Sequence, residues 1–486
     1  MRLADLVDAA RLADPADGAR EVAGLTADSR DVKPGFVFAA LPGTRADGAR
    51  FIPDALARGA VAVIARPEAR HMVPPGMAFL ADDEPRRLLA LMAARFHPRQ
   101  PDTLVAVTGT NGKTSVAAFA RQIWAAQGLE SASLGTIGIV TGRGAAPLGL
   151  TTPDPVALHG ALDALSREGV THAALEASSH GLAQHRLDGL RLAAAGFTNI
   201  TRDHLDYHPS FEDYFAAKLR LFIELLPPGA PAVVNADAEH GASVAEAARG
   251  AGRAVLTVGA RGEALRLLAH FDEGFAQHLR VAHAGSETEL RLPLVGDFQA
   301  SNALVAAGLC IAAGLAPEPA LRALESLRGA RGRLDLAGTT AAGAPVFVDY
   351  AHTPDALANA LRALRPYARG RLVVVFGAGG DRDRGKRPLM GAAAAALADV
   401  VIVTDDNPRS EDPAAIRREI LAAAPGAREI GDREQAIRTA VRELHANDVL
   451  LIAGKGHETG QIVGSRILPF SDHDAVAAAL EDAIHA

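Results

Sequence analysis

The stretch V-T-G-T-N-G-K-T-S, residues 107–115, decides how this chain is organised. It follows the apolar run Leu104 to Val107 and precedes Val116-Ala-Ala-Phe-Ala-Arg-Gln-Ile-Trp124, which has helical spacing. A strand, a glycine turn and a helix opening on Lys-Thr make a phosphate cradle. Backbone N–H groups and the positive end of the helix dipole then face the anion. In that arrangement Lys113 reaches the outer phosphates and the Thr114 hydroxyl serves a magnesium ion. Val107 stands where the P-loop template begins with Gly. A glycine-rich turn alone would explain the glycines, but not Lys-Thr-Ser at the helix start.

Working outward, the length of 486 residues suggests three domains at about 150 residues each. An apolar fraction of 49% with only 4% aromatics indicates globular cores built from Ala, Val and Leu. A net charge of −7 argues against a general nucleic-acid surface. The single cysteine, Cys310, lies in an Ala/Leu-rich helical pattern and reads as core packing; one cysteine permits no disulfide within the chain. The amino terminus lacks a signal-peptide apolar region and no apolar run reaches membrane-spanning length, so a cytoplasmic enzyme is expected.

Residues 1–100 read as a small α/β lobe, with strands at Val37 to Leu41 and Val61 to Ala65 and a helix at Phe51 to Arg58. The T-A-D-S-R segment, 26–30, reads as a polar turn. Residues 101–333 form a second block around the cradle. Here S-L-G-T-I-G (133–138) and L-T-T-P-D-P (150–155) are turn-rich. The strand Ala173 to Ala177 runs into S-S-H-G-L. Its Glu176 is either a satisfied core carboxylate or, beside a phosphate loop, a second magnesium anchor; the second reading is favoured. Strand Ala193 to Thr198 ends in N-I-T-R-D-H-L-D-Y-H, where open α/β sheets place ligands, which raises His204 above an ordinary surface histidine. Lys218 falls in the helix Tyr214 to Leu225, with the apolar stripe Phe215, Leu219, Phe222 and Leu226; residues alone put Lys218 on the solvated face. Alternating apolar positions over 265–295 predict a small antiparallel sheet, and an Ala-rich helix follows through Ala313.

Residues 334–486 alternate strand and helix. Strands at Val346 to Asp349, Leu372 to Phe376, Val400 to Thr404 and Val449 to Ala453 are each followed by a polar cluster. That pattern predicts a mostly parallel, doubly wound sheet with four polar clusters along one edge.

In order, the chain carries T-G-T-N-G-K-T-S, E-A-S-S-H-G-L-A-Q-H-R, T-N-I-T-R-D-H-L-D-Y-H, S-N-A-L, G-R-L-D, V-D-Y-A-H-T-P-D-A-L, D-D-N-P-R and G-K-G-H-E. With these motifs it resembles the Mur ligases of peptidoglycan synthesis over its whole length, and D-N-P-R resembles the members that add meso-diaminopimelate. The resemblance implies an α/β protein of three domains: a lobe holding a UDP end (1–100), a central P-loop ATPase domain with a mostly parallel sheet (101–333) and a Rossmann-like domain for the incoming amino acid (334–486). It implies an ATP-dependent amide ligation through an acyl phosphate, in a cytoplasmic monomer with small-molecule substrates and magnesium.

Carried over by position, the resemblance implies ATP contacts at Gly109, Thr110, Asn111, Gly112, Lys113, Thr114, Ser115, Asn302, Arg333 and Asp349. It gives catalytic roles to Lys113, Glu176, His204 and Lys218, with magnesium at Thr114, Glu176 and His204. Ser29, Thr44, Arg45, Ala46, Thr151, Thr152, Ser178, Gln184 and Arg186 would hold the UDP-muramoyl-dipeptide. Arg382, Asp406, Asn407, Pro408, Arg409, Gly454 and Glu458 would hold diaminopimelate. Lys218 matches the lysine that the family carbamylates, which reverses its solvated-face reading. A lysine-adding relative is disfavoured by D-N-P-R, and a folylpolyglutamate synthetase by the 1–100 lobe and T-T-P-D-P. Nothing in the sequence supports a regulatory protein that has lost catalysis.

Overall fold

A computed structural model describes residues 1–12, 14–43, 47–201, 203–204 and 207–485. The chain divides into two compact units. One comprises Met1–Leu268, Val281–Thr288 and Ser301–Ala323; the other comprises Ala269–Arg280, Glu289–Ala300 and Leu324–Ala486.

The first unit begins with four parallel strands in chain order, Gly24–Thr26, Phe36–Ala39, Ala62–Ala65 and Ala78–Ala81. Their side chains alternate between two apolar layers. Val37, Ile64 and Leu80 pack with Leu3, Leu6, Leu89 and Met92, while Phe38, Val63 and Phe79 pack with Ile52 and Ala55. Both faces are covered, which is why these strands read as short continuous apolar runs.

Its larger sheet is centred on Thr103–Thr108, paired in parallel with His172–Glu176 on one side and Ala194–Phe197 on the other. Pro231–Asn235 and Ala254–Gly259 continue the parallel ladder. On the opposite flank, Ser131–Gly135 is parallel to His172–Glu176, and antiparallel strands Gly138–Thr141 and Gly144–Ala146 follow. The turn-rich reading of 133–138 is therefore corrected: Ser131–Gly135 is a wholly buried strand. Its closing glycine is a steric requirement, since a Cβ on Gly135 would overlap the Glu176 carboxylate. The alternating stretch forms strands Leu265–Glu273, Ala276–His283 and Ser286–Leu292, and these extend the edge of the large sheet.

The helix carrying Lys218 runs Phe211–Arg220 and ends in a π-helical turn, Leu221–Leu225. Tyr214, Lys218, Leu221 and Phe222 form its buried face, whereas Phe215 and Leu219 are half-buried. The solvated-face reading of Lys218 fails because this helix lays that face against the sheet.

The second unit holds a six-stranded sheet in the order Asp335–Thr339, Pro345–Asp349, Val449–Ala453, Leu372–Phe376, Val400–Val403 and Arg428–Glu429. The first pair is antiparallel and the remaining pairs are parallel. The four apolar strands thus end at one edge, as their polar followers predicted. A separate hairpin, Gly460–Val463 with Arg466–Pro469, was not legible in the sequence. Among the described residues, no helix is long and apolar enough to cross a membrane.

Candidate active site

The central strand delivers its chain into the cradle at Gly109 and Gly112, with φ of +154° and +86°. Neither position has room for a side chain: a Cβ at Gly109 would strike the Thr198 hydroxyl, and one at Gly112 would strike the Asn302 amide. Asn302 is thereby set against the loop. The helix Lys113–Ala126 starts immediately after Gly112, so its first turn lies at the loop. The Asn111 N–H donates to Asn199 Oδ1 at 3.0 Å, and the Thr110 hydroxyl pairs with Tyr214 OH at 2.8 Å. Burial pushes the Tyr214 phenol up to about 12, so it stays protonated. Ser115 is buried in the first helical turn.

Lys113 Nζ folds over the loop onto the carbonyls of Gly109 and Thr110, both at 2.8 Å. Thr114 Oγ1 donates to Glu176 Oε2 at 3.0 Å. Glu176 is 2% exposed, and a buried carboxylate must be compensated. Thr136 provides that from its N–H to Oε1 at 2.8 Å and from its hydroxyl to Oε2 at 3.1 Å. Thr136 is thus a site residue that the sequence hid inside an apparent turn.

Lys218 is 1% exposed, donates to the Gly109 carbonyl at 2.7 Å, and lies 4.6 Å from the Tyr214 ring centre. Burial, reinforced by the charge of Lys113, holds its pKa well below the ordinary lysine value. His204 adopts φ = +54°, is half exposed, and lies beside Asp203 and edge-on to His180. The structure brings Lys113, Thr114, Glu176 and Lys218 to one loop. It sets His204 in the neighbouring segment after strand Ala194–Phe197.

A polar wall lies near the cradle. Thr151 Oγ1 meets Thr136 Oγ1 at 3.0 Å. Thr152 is wholly buried: its hydroxyl donates to the Glu176 carbonyl at 2.8 Å and accepts the Ser178 N–H at 3.0 Å. The Thr152 hydroxyl therefore braces the strand end, and Ser178 caps the helix Ser179–Ala183. Arg186 donates to the Thr152 carbonyl at 2.6 Å and to Gln184 Oε1 at 2.7 Å, while Gln184 donates to Tyr207 OH at 2.9 Å. Burial lowers the Arg186 pKa. Arg86, which no motif marked, is likewise lowered by burial and donates to the Pro42 carbonyl at 2.6 Å. Ser29 is buried in a short 3-10 turn, Ser29–Asp31. Thr44, Arg45 and Ala46 lie outside the described residues.

The second unit carries its own polar edge. Asp349 accepts the N–H groups of Leu334 and Ala351, each at 2.7 Å, and burial raises its pKa. The Arg333 guanidinium stacks 5.0 Å from the Tyr350 ring centre. Asp406 Oδ1 accepts the Asn407 N–H at 2.7 Å, while its Oδ2 is buried and takes no hydrogen bond from the described residues. Gly454, at φ = +116°, leaves space over that oxygen which a Cβ would fill. Asn407 Nδ2 donates to Glu458 Oε2 at 2.8 Å. Arg409 has φ = +50° and donates to the Gly380 carbonyl at 2.8 Å; Arg382 is exposed on the adjoining loop. Pro408 is buried, and a Cβ on Gly380 would overlap its carbonyl.

A glycine turn opening a helix on one parallel sheet, and carboxylates and guanidinia along the strand-end edge of another, are features of nucleotide-using α/β enzymes. Family models match the chain in three places: the Mur ligase family catalytic domain at residues 21–97, the Mur ligase middle domain at 107–310, and the Mur ligase glutamate ligase domain at 332–456. The chain belongs to the Mur ligase family, whose members are ATP-dependent ligases. It is 58% identical over 486 residues to a UDP-N-acetylmuramoyl-L-alanyl-D-glutamate--2,6-diaminopimelate ligase of Bradyrhizobium diazoefficiens, covering 99% of each chain. It is 54% identical to the protein of that name from Caulobacter vibrioides, again covering 99% of each. A solved structure of a ligase of the same name superimposes with a TM-score of 0.72 at 32% identity, covering 100% of this chain and 99% of that one. A MurF ligase from Thermotoga maritima shares the fold, with a TM-score of 0.60 at 18% identity over 96% of this chain and 98% of that one.

Proposed function

We propose that this protein joins meso-2,6-diaminopimelate to UDP-N-acetylmuramoyl-L-alanyl-D-glutamate at the expense of ATP, as a cytoplasmic monomer in peptidoglycan precursor synthesis. The observation that carries this reading is the Thr114–Glu176 contact at 3.0 Å, a hydroxyl and a buried carboxylate converging beside Lys113. Residues 1–100 hold the UDP end, residues 101–333 hold ATP and the muramoyl-dipeptide, and residues 334–486 hold the incoming amino acid. The diaminopimelate relatives supply the substrate class, and Arg409 beside Asn407 supplies a chemical reason for it.

The free carboxylate of the muramoyl-dipeptide attacks the γ-phosphorus of ATP, giving an acyl phosphate and ADP. The diaminopimelate amine then attacks the acyl carbon, loses a proton and expels phosphate. The first step brings two anions together. Lys113 now rests on two neutral carbonyls, and exchanging them for phosphate oxygens gives shorter, charge-assisted bonds as charge moves. Hydroxyl and carboxylate oxygens suit a hard divalent cation, so Thr114, Glu176 and His204 would hold magnesium, which supplies neutralisation of phosphate charge. Burial lowers the Lys218 pKa, and in its neutral form the amine can bond to the carbon of CO₂ and release a proton, becoming a carbamate anion that supports the same site.

The test is phosphate release with ATP and UDP-N-acetylmuramoyl-L-alanyl-D-glutamate, with and without diaminopimelate. Release that depends on diaminopimelate, with lysine a poor replacement, is the expected result. Release indifferent to the amino acid would overturn the reading.

A further inference from the structure

The four residues assigned to the amino-acid pocket at Asp406–Arg409 do not hold their own orientation. Asn407 Oδ1 accepts the Ile462 N–H at 2.9 Å and Lys455 Nζ at 3.2 Å. Because both neighbours are donors, the atom between them must be the oxygen, and the amide nitrogen is forced to the other side. There Nδ2 donates to Glu458 Oε2 and keeps a second N–H. Lys455 Nζ also donates to Glu458 Oε2 at 3.0 Å and to the Gly460 carbonyl at 2.6 Å, so its three protons meet three acceptors. Its side chain is 0% exposed. Glu458 Oε2 thus serves two donors, while Oε1 takes no hydrogen bond from the described residues.

We propose that Lys455 is a positioning residue for amino-acid selection: it turns Asn407 into a committed donor and Glu458 into a committed acceptor. This rests on the reading that the pocket takes diaminopimelate. The distal end of that substrate carries a carboxylate beside an ammonium. A pocket for it needs donors at one point and acceptors at another, and neither may swap. An Asn amide alone can rotate to present either edge, a half-exposed carboxylate alone can turn, and a buried ammonium must be compensated. One buried ammonium bridging both removes the ambiguity, and Glu458 in turn compensates its charge. The hairpin Gly460–Val463 and Arg466–Pro469 completes the frame. Its Ile462 carbonyl accepts the Arg409 N–H at 3.0 Å, and Gln461 Nε2 donates to the Asp406 carbonyl at 2.8 Å.

The experiment measures KM for ATP, for the UDP substrate and for diaminopimelate, with kcat, in full-length wild type, Lys455→Met, Asn407→Ala and the double variant. Lys455→Met is expected to raise KM for diaminopimelate by about tenfold or more, with the other two constants within about twofold. In the Asn407→Ala background the same change should cost less than about threefold, because the amide it orients is gone. Additive losses, or equal rises in all three constants, would overturn the proposal, since a residue that only supports the fold gives those. Should Lys455→Met not fold, Lys455→Gln is read by the same constants; failure of both to fold would also overturn it. A wild type that prefers another amino acid would remove the diaminopimelate reading, while the cycle run with that amino acid would still decide the role of Lys455.

Discussion

Lys113 and Lys218 donate to one acceptor, the Gly109 carbonyl, at 2.8 and 2.7 Å. Two ammonium groups on one oxygen repel, and the one in the drier place yields its proton more readily. Lys218 is that one. Lys218 is thus the weaker base of the two, held behind Lys113.

Replacing Lys113 should stop the chemistry without unfolding the chain. Lys113 donates to two neutral carbonyls in the resting loop, and a folded Lys113→Ala variant, checked by its melting temperature, isolates the chemical role. Phosphate release should fall by about a thousandfold, as for loss of a group that meets charge developing in the transition state. Near-normal release by a folded variant would sink the phosphate-cradle assignment.

The buried amine of Lys218 sets a stability cost with a defined pH dependence. Its folded-state pKa lies below the ordinary 10.5. Between the folded and unfolded values the unfolded chain binds more protons, so stability rises with pH through that window. Below the folded value the penalty is fully present. Lys218→Met should therefore be inactive yet raise the melting temperature by about 2 °C near neutral pH in CO₂-free buffer. That gain should shrink as pH approaches 10.5. A constant difference across the range would show that packing, not protonation, sets the cost.

Lys218 and Thr136 also mark where the sequence stops being legible. The strand–turn–helix cradle, the parallel sheets and the strand-end clusters were all visible, because each follows from apolar runs and the residues that end them. A lysine on a buried helix face is invisible to periodicity, which placed Lys218 outside. The buried strand Ser131–Gly135 was hidden because the Glu176 carboxylate fills the space where a Gly135 side chain would sit, and the glycine this requires mimics a turn. The Gly460–Pro469 hairpin left no apolar signature because its residues are half-buried or exposed: Ile467 is 72% exposed. What the sequence could not show was in each case set by a neighbour distant along the chain.

Thr136 yields its own prediction. Its hydroxyl is one of three donors on the Glu176 carboxylate, with its own N–H and Thr114. Thr136→Val keeps the shape and the N–H but removes the hydroxyl. Groups that orient a ligating carboxylate typically matter by about 10–100-fold, so the magnesium concentration for half-maximal phosphate release should rise by about tenfold. A magnesium titration checks this, and an unshifted curve would make Thr136 a bystander.

Arg409 should decide which amino acid is used. Diaminopimelate differs from lysine by a distal carboxylate, and a guanidinium grips such a group with parallel charge-assisted hydrogen bonds. In the structure one Arg409 nitrogen is already fixed on the Gly380 carbonyl at 2.8 Å, and the absence of a side chain on Gly379 leaves room for that nitrogen. The backbone at Arg409 is held at φ = +50° by two bonds to the neighbouring hairpin, its N–H to the Ile462 carbonyl at 3.0 Å and its carbonyl to the Gly464 N–H at 2.7 Å. Ala and Arg bear the same cost in that conformation, so Arg409→Ala removes the side chain without adding strain. A surface ion pair would be worth about 1 kcal/mol or less, whereas cutting a desolvated charge pair in half costs about 2–5 kcal/mol. Arg409→Ala is therefore expected to lower kcat/KM for diaminopimelate by about a hundredfold or more, and that for lysine far less. Arg409→Lys, which keeps the charge but loses the planar fork, should fall between them. Equal losses for both amino acids would mean that Arg409 braces the loop and that the distal carboxylate is read elsewhere.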